Sequence, residues 1–307
     1  MAVSIPEPQC RRLTHFTPLR YPGGKARLAL FVKRLVQAND LLDGEYVEPY
    51  AGGAAVAVEM LLHEYVSKIH INDISRPIYA FWKSLLNDTD ELCRRVQETR
   101  LTVRVRDRQK NILTNQDDHD DLSLGFAMFF LNRTNRSGIL NAGVIGGRDQ
   151  SGPWKIDARY NAGELIRRIT AIAKMKERIH LTRLDALQFL REGCKVWPQR
   201  TLIYCDPPYY AKGRDLYYDY YEEDDHKRVA KFITRKICRQ KWIVSYDDVR
   251  QVRELYAECR RIKYRIGYSA RTTREGAEIM FFCNSLRVPE LIGAVRQINE
   301  RGASARW

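Results

Sequence analysis

The sequence predicts an α/β protein built on an open, mostly parallel sheet with helices on both faces. Short runs rich in branched and aromatic residues alternate along the chain with segments of helical spacing, the pattern of βαβ units. Several of the apolar runs end on turns bearing Asp, Glu, Pro or Gly, and ligands of open α/β sheets bind at the carboxyl ends of strands. A hydrophobic fraction of 44% in 307 residues supplies the core of one large domain or two smaller ones.

The elements follow in chain order. Residues 46–48 form the first strand, and the glycine-bearing turn behind them opens a helix over 54–64. The second strand covers 68–72. The next stretch, 76–160, is too long for a simple crossover. It has helical spacing over 78–86, a basic run from Arg94 to Lys110 and an acidic patch at 117–121. An apolar helical run over 122–131 follows, then a segment rich in Gly, Asn and Arg up to 152. This is expected to be an inserted, mostly helical subdomain with a loop or hairpin, between segments 1–75 and 161–307 that build the sheet. After a helix over 161–177 come strands at 179–182 and 202–205, a helix over 224–238, a strand at 242–245 and a helix over 248–257. Two last strands, 264–269 and 278–283, lie close enough for a hairpin.

Composition narrows the partners. The formal net charge is +14, from 52 Lys and Arg against 38 Asp and Glu. Such a balance points to a polyanion, with nucleic acid first. No apolar stretch approaches the ~18 residues of a membrane span. The seven cysteines are scattered singly, without a CxxC or Cys/His cluster, so neither a metal site nor a disulfide framework is expected. The first twelve residues lack a hydrophobic signal core. A reduced, cytoplasmic protein is the expectation.

The most informative stretch is Asp206-Pro207-Pro208-Tyr209, directly after the apolar run 201–205. The prolines stiffen the turn and have no amide hydrogen, so it presents carbonyl oxygens. A carboxylate and a carbonyl beside an aromatic ring suit a planar exocyclic amine. Glu48-Pro49-Tyr50-Ala51-Gly52-Gly53 ends the first strand. Its glycines allow close approach of a ligand to the backbone, near a helix N-terminus. It lacks the full G-x-G-x-x-G cradle, so a nucleoside without pyrophosphate fits better than a dinucleotide. Asp73, at the end of the second strand, can accept from ribose hydroxyls. Near the chain start, Tyr21-Pro22-Gly23-Gly24-Lys25 joins an aromatic, a flexible Gly pair and a lysine.

In this order, Tyr21 to Lys25, Glu48 to Gly53, the long insertion and Asp206 to Tyr209, the chain resembles the Dam-like, or D12-class, DNA adenine N6-methyltransferases. The resemblance extends over 16–284 and includes Phe130-Leu131-Asn132-Arg133-Thr134 and Glu278-Ile279-Met280-Phe281. It implies a Rossmann-like sheet with S-adenosylmethionine as cofactor, and an insertion at 76–160 that recognises double-stranded DNA. A cytoplasmic, DNA-associated protein is the expectation that follows. By motif position, Tyr21 and Lys25 would meet the methionine end of the cofactor, and Glu48, Pro49, Gly52 and Gly53 would line its pocket. Asp73 would hold the ribose and Asp185 would approach the cofactor adenine, although Asp185 also reads as a helix N-cap. Asp206 would border the cofactor and, with the Pro207 carbonyl, accept the hydrogens of adenine N6, while Tyr209 stacks on the flipped base. Cys205 reads as a buried strand residue, and no covalent intermediate is needed.

For DNA contacts the expectation falls on Arg133, Asn135, Arg136, Ser137 and Asn141, since Arg suits guanine and Asn suits adenine. Dam-like enzymes carry an aromatic-Asn-Gly here, and this chain has Arg136-Ser137-Gly138, so a GATC target does not carry over. The basic run 94–110 reads equally as phosphate ligands or as a solvated face, and the tyrosines of 217–221 as a stacking wall or as packing. A monomer is expected, because one transfer needs one site. The rival readings are an RNA adenine or cytosine N4 methyltransferase, and a DNA-binding regulator without catalysis.

Overall fold

The computed structural model describes residues 16–20, 25–210, 221–237, 239–266, 277–291 and 295–298. Tyr21 to Gly24, the tyrosines 217–220 and Cys238 lie outside the described residues. Strands β1 (Gly44–Glu48), β2 (Val66–Asn72), β3 (Ile179–Thr182), β4 (Thr201–Cys205) and β5 (Lys241–Asp247) pair in parallel in the order 3-2-1-4-5. Beyond β5 the sheet turns antiparallel through β7 (Glu278–Phe282), β6 (Arg260–Ile266) and β8 (Val295–Gln297). The expected terminal hairpin is present as the β6–β7 pair, but its second strand inserts between β5 and β6. Its first strand begins at Arg260, earlier than the sequence suggests, and β8 is an element the sequence reading does not name.

The central strands are apolar along their length, β4 being buried at all five positions. Burial on both faces is the rule for parallel strands covered by helices. The covering helices are α1 (Ala29–Ala38), α2 (Ala55–Leu62), α3 (Arg76–Asn87), α4 (Thr89–Glu98), α5 (Val103–Thr114), α6 (Asp121–Thr134), α7 (Ala162–Ala173), α8 (Ala186–Val196), α9 (Glu223–Lys236) and α10 (Arg250–Leu255). Helix α1 also goes unnamed in the sequence reading, and α8 enters it only through the N-cap reading of Asp185. In α1 the signal is legible: Phe31, Val32, Leu35 and Val36 form one buried stripe at helical spacing. The order of strands makes the sheet Rossmann-like. From β1 the chain winds outward to β2 and β3, then crosses back to β4 on the other side. The carboxyl ends of β1 and β4 therefore flank the switch point, where such sheets bind ligands.

Residues 76–160 hold α3 to α6 and a looped segment. Their core is continuous with that of the sheet rather than separate from it. Phe81 of α3 stacks on Phe129 of α6 at 5.6 Å, and the Trp82 indole donates to the Gly52 carbonyl at 2.9 Å. Gly125 permits this approach: a Cβ there would lie 2.6 Å from the Ala80 carbonyl oxygen. The basic run, read equally as phosphate ligands or as a solvated face, divides between α4, α5 and the turn that joins them. Arg94 and Arg95 pair with Glu91, Arg94 also with Glu98, and Arg106 is buried. Arg100, Arg104, Arg108 and Lys110 stay exposed. No helix among the described residues is long and apolar enough to cross a membrane.

Candidate active site

Strand β4 ends by delivering Asp206 to the switch point, with Pro207 buried behind it. The Asp206 side chain keeps 27% of its surface exposed, so it faces the crevice. Its Oδ1 accepts from Ser245 Oγ at 2.6 Å and lies 3.5 Å from Lys25 Nζ. Ser245 has one hydroxyl proton and gives it to Asp206, so the Tyr204 hydroxyl, 2.9 Å away, donates to Ser245. A relay thus runs from Tyr204 through Ser245 to the carboxylate. Burial raises the pKa of Asp206 above the usual carboxylate value, and Lys25 and Ser245 oppose that rise.

Lys25 belongs to a second, deeper cluster. Its Nζ meets Glu278 Oε2 at 2.6 Å and Tyr209 OH at 3.3 Å, and it lies 5.2 Å above the Tyr209 ring. Glu278 also accepts from the Tyr209 hydroxyl at 3.0 Å and from Tyr264 at 2.7 Å. Burial alone would depress the lysine, but Asp206, Tyr264, Glu278 and Tyr209 outweigh it and hold Lys25 well above its ordinary value. Lys25 is therefore a cation clamped between two carboxylates, one exposed to the crevice and one inside. The signal for Glu278 was present in the sequence as a lone acid opening the apolar strand E-I-M-F-F. Ser245, Tyr204 and Tyr264 carried none, because their partners come from other strands.

On the other side of the switch point, β1 ends at Glu48, 6% exposed. Its Oε1 accepts the Ala57 amide of α2 at 3.0 Å, and burial pushes its pKa up to about 8. The Pro49 carbonyl accepts from Asn72, and the Gly53 carbonyl from Thr17. Gly52 adopts φ +46°, in the left-handed region that favours glycine. Its amide donates to Asp73 Oδ2 at 2.8 Å, while Asp73 Oδ1 accepts the Ser75 amide at 3.0 Å. Asp73 thereby ties the end of β2 to the glycine turn after β1. Asp185 caps α8, its Oδ1 accepting the amides of Leu187 and Gln188, as the N-cap reading had it. Of the acids at the crevice, Asp73 and Asp206 keep part of their side chains exposed, whereas Glu48 is buried and largely protonated near neutral pH, and Lys25 is buried as the neighbouring cation.

The expected DNA contacts divide. Arg136, Ser137 and Asn141 are exposed at the tip of a looped segment whose base is closed by an Asn135–Val144 bridge. Ser137 has φ +56°, which turns the tip. Asn135 is completely buried. Its Oδ1 takes Arg106 Nε and its Nδ2 donates to the Ile139 and Leu140 carbonyls, so it shapes the loop from inside and has no path to a base edge. Arg133 is half-buried between backbone carbonyls. Tyr221, the described member of the tyrosine run, bonds Tyr50 at 3.0 Å. No group of three or more His, Cys, Asp or Glu among the described residues is placed to hold a metal ion.

A family model described as D12 class N6 adenine-specific DNA methyltransferase matches residues 21–269. The chain is 22% identical over 235 residues to the type II methyltransferase M.MjaIII of Methanocaldococcus jannaschii, covering 70% of this chain and 78% of that protein. Among solved structures it is similar to the rRNA methyltransferase AviRa of Streptomyces viridochromogenes (TM-score 0.37, 13% identity, 88% of this chain and 90% of the other). It is also similar to a Legionella pneumophila protein of the DUF519 family (TM-score 0.34, 11% identity, 86% of each chain).

Proposed function

The chain belongs to the D12 class N6 adenine-specific DNA methyltransferases, and from that premise we propose that it transfers a methyl group from S-adenosylmethionine to N6 of an adenine flipped out of duplex DNA. The observation that carries the reading is Asp206, partly exposed at the switch point and held by Ser245 and Lys25, with Tyr209 three residues on.

Asp73 and the Gly52–Gly53 turn would hold the ribose hydroxyls of the cofactor, and Glu48, kept largely neutral by burial, would line its pocket. Bound S-adenosylmethionine supplies the methyl group on a sulfonium centre. Adenine N6 is a poor nucleophile because its lone pair is delocalised into the ring. The Asp206 carboxylate and the Pro207 carbonyl would accept its two hydrogens, favouring a tetrahedral nitrogen with a free lone pair. Lys25 and Ser245 favour the ionised form of Asp206, the form that accepts. Rate enhancement then comes from positioning and electrostatics, without covalent catalysis. Residues 76–160 would supply target recognition through Arg136, Ser137 and Asn141 at the loop tip.

The test is transfer of labelled methyl to duplex DNA of mixed sequence, with nucleoside analysis, for the native chain and for Asp206→Ala. N6-methyladenine from the native chain and none from the variant, with cofactor binding retained, supports the reading. Label in RNA or protein, or DNA binding without transfer, overturns it.

A further inference from the structure

The stretch 16–20, the C-terminal end of α6 and the turn before α7 bring Arg20, Arg133 and Arg159 together. Arg133 Nε donates to the Arg159 carbonyl at 2.8 Å and its Nη1 to the Pro18 carbonyl at 3.3 Å. Arg20 Nη1 donates to the Asn135 carbonyl at 3.3 Å. The Asn132 amide locks the Arg20 backbone in both directions, at 2.7 and 2.6 Å. The Arg159 guanidinium lies 6.0 Å over the ring of Trp154. Each arginine is thus aimed by the fold.

None of the three forms an ion pair among the described residues; Arg20 and Arg133 donate to backbone carbonyls, which neutralise no charge. The arginines of the helical surface behave differently. Arg94, Arg95 and Arg250 each face a carboxylate, and so does Arg168 beside the cluster. The imbalance has an electrostatic consequence. Burial, then Arg20, Arg168 and Arg159, push Arg133 down to about 9, and burial with Arg159 lowers Arg20. Partly buried like charges without a counter-ion are costly. An anion among them removes that cost.

We infer that Arg20, Arg133 and Arg159 form a built site for one phosphate of the DNA backbone. The fork of donors on each guanidinium matches phosphate oxygens. The location fits a strand passing from the crevice to the loop. Thr17 bonds the Gly53 carbonyl of the glycine turn, and Arg168 bonds the Thr17 carbonyl, so the stretch that carries Arg20 is anchored to the candidate cofactor pocket. On its other side the Asn132 amide reaches the Gly138 carbonyl of the Arg136–Gly138 turn. A phosphate here sits between the base-accepting crevice and the exposed tip. The inference rests on the DNA methyltransferase reading.

The experiment compares the native chain with Arg133→Gln, Arg159→Gln and the triple Gln variant. Duplex affinity is measured across a salt series, and S-adenosylmethionine affinity separately. Arg159→Gln guards against misfolding, because its side chain is exposed and its carbonyl, the acceptor for Arg133, is retained. Each single variant should weaken duplex binding while leaving cofactor affinity unchanged. The triple variant should lower the slope of log affinity against log salt by about 1, the contribution of one phosphate. A duplex carrying single neutral methylphosphonates should show one position that weakens the native chain and is silent in the triple variant. Native affinity and slope in the variants, the absence of such a position, or a loss confined to cofactor binding overturns the site. A native chain that neither binds nor methylates duplex DNA fails the parent reading instead.

Discussion

Lys25 and Glu278 meet at 2.6 Å inside the protein, although 253 residues separate them in the chain. The lysine follows a glycine pair near the chain start, and the acid opens the antiparallel strand inserted beside β5. Their pairing fixes the cation that lies 3.5 Å from Asp206.

Replacing Glu278 with Gln removes the charge that three donors share. Loss of one charged acceptor from a buried network costs about 1–3 kcal/mol, measurable by denaturant unfolding. Tyr209 and Lys25 lose their common anchor, so methyl transfer should fall between roughly 10- and 100-fold, the scale of a misplaced catalytic group. Native transfer rates in a folded variant would remove the positioning role.

The acid limb of the pH–rate profile should belong to Asp206. Its acceptor role needs the ionised carboxylate, so activity is lost as pH falls through its folded pKa, which lies above the ordinary value. Lys25 opposes that rise. In Lys25→Met the limb should move to higher pH, as followed by kcat against pH; an unmoved limb would show that another group controls it.

Glu48 makes a claim on stability. Its folded pKa is about 8 against an ordinary 4.5. Between those values the folded protein binds more protons than the unfolded chain, so stability falls as pH rises through that window. The slope is about 1.4 kcal/mol per pH unit for one group. Glu48→Gln should flatten the fall over the same window, and unfolding midpoints at several pH values would show whether it does.

Two neighbours in the loop should behave oppositely. Asn135→Ala strips three bonds from a buried amide and should destabilise by about 1–3 kcal/mol. Arg136→Ala, at the exposed tip, should stay within about 0.5 kcal/mol of the native chain and weaken duplex binding instead. Unfolding and DNA titration on both variants separate the roles. Equal stability would contradict the buried position of Asn135.

Gly125→Ala probes the seam between α3 and α6. The added methyl would press on the Ala80 carbonyl oxygen, and overpacking of this kind costs about 1–3 kcal/mol. Thermal unfolding reads it directly, and an unchanged midpoint would mean that the helices yield freely.

Period and punctuation made the parallel sheet legible. The runs at 46–48, 68–72, 179–182, 202–205 and 242–245, rich in branched and aromatic residues, each fall within a strand. Asp206, Glu48 and Asp73 could be picked out because each stands where such a run stops. Side-chain destinations are another matter. Asn135 and Arg136 are adjacent and equally polar, yet one is buried and the other exposed. Arg106 looks like its exposed neighbours Arg104 and Arg108 but lies beneath the loop. Local sequence cannot encode which polar group will find buried partners, because those partners arrive from distant elements. The same holds for Ser245 and Glu278 around Asp206, and for the arginines gathered from 16–20, α6 and the turn before α7. The sequence by itself determined the alternating architecture and the chemistry at the strand ends, through periodicity and strand termination. The tertiary structure alone decided which charges meet, because electrostatic pairing depends on distances of a few ångströms that chain separation does not constrain.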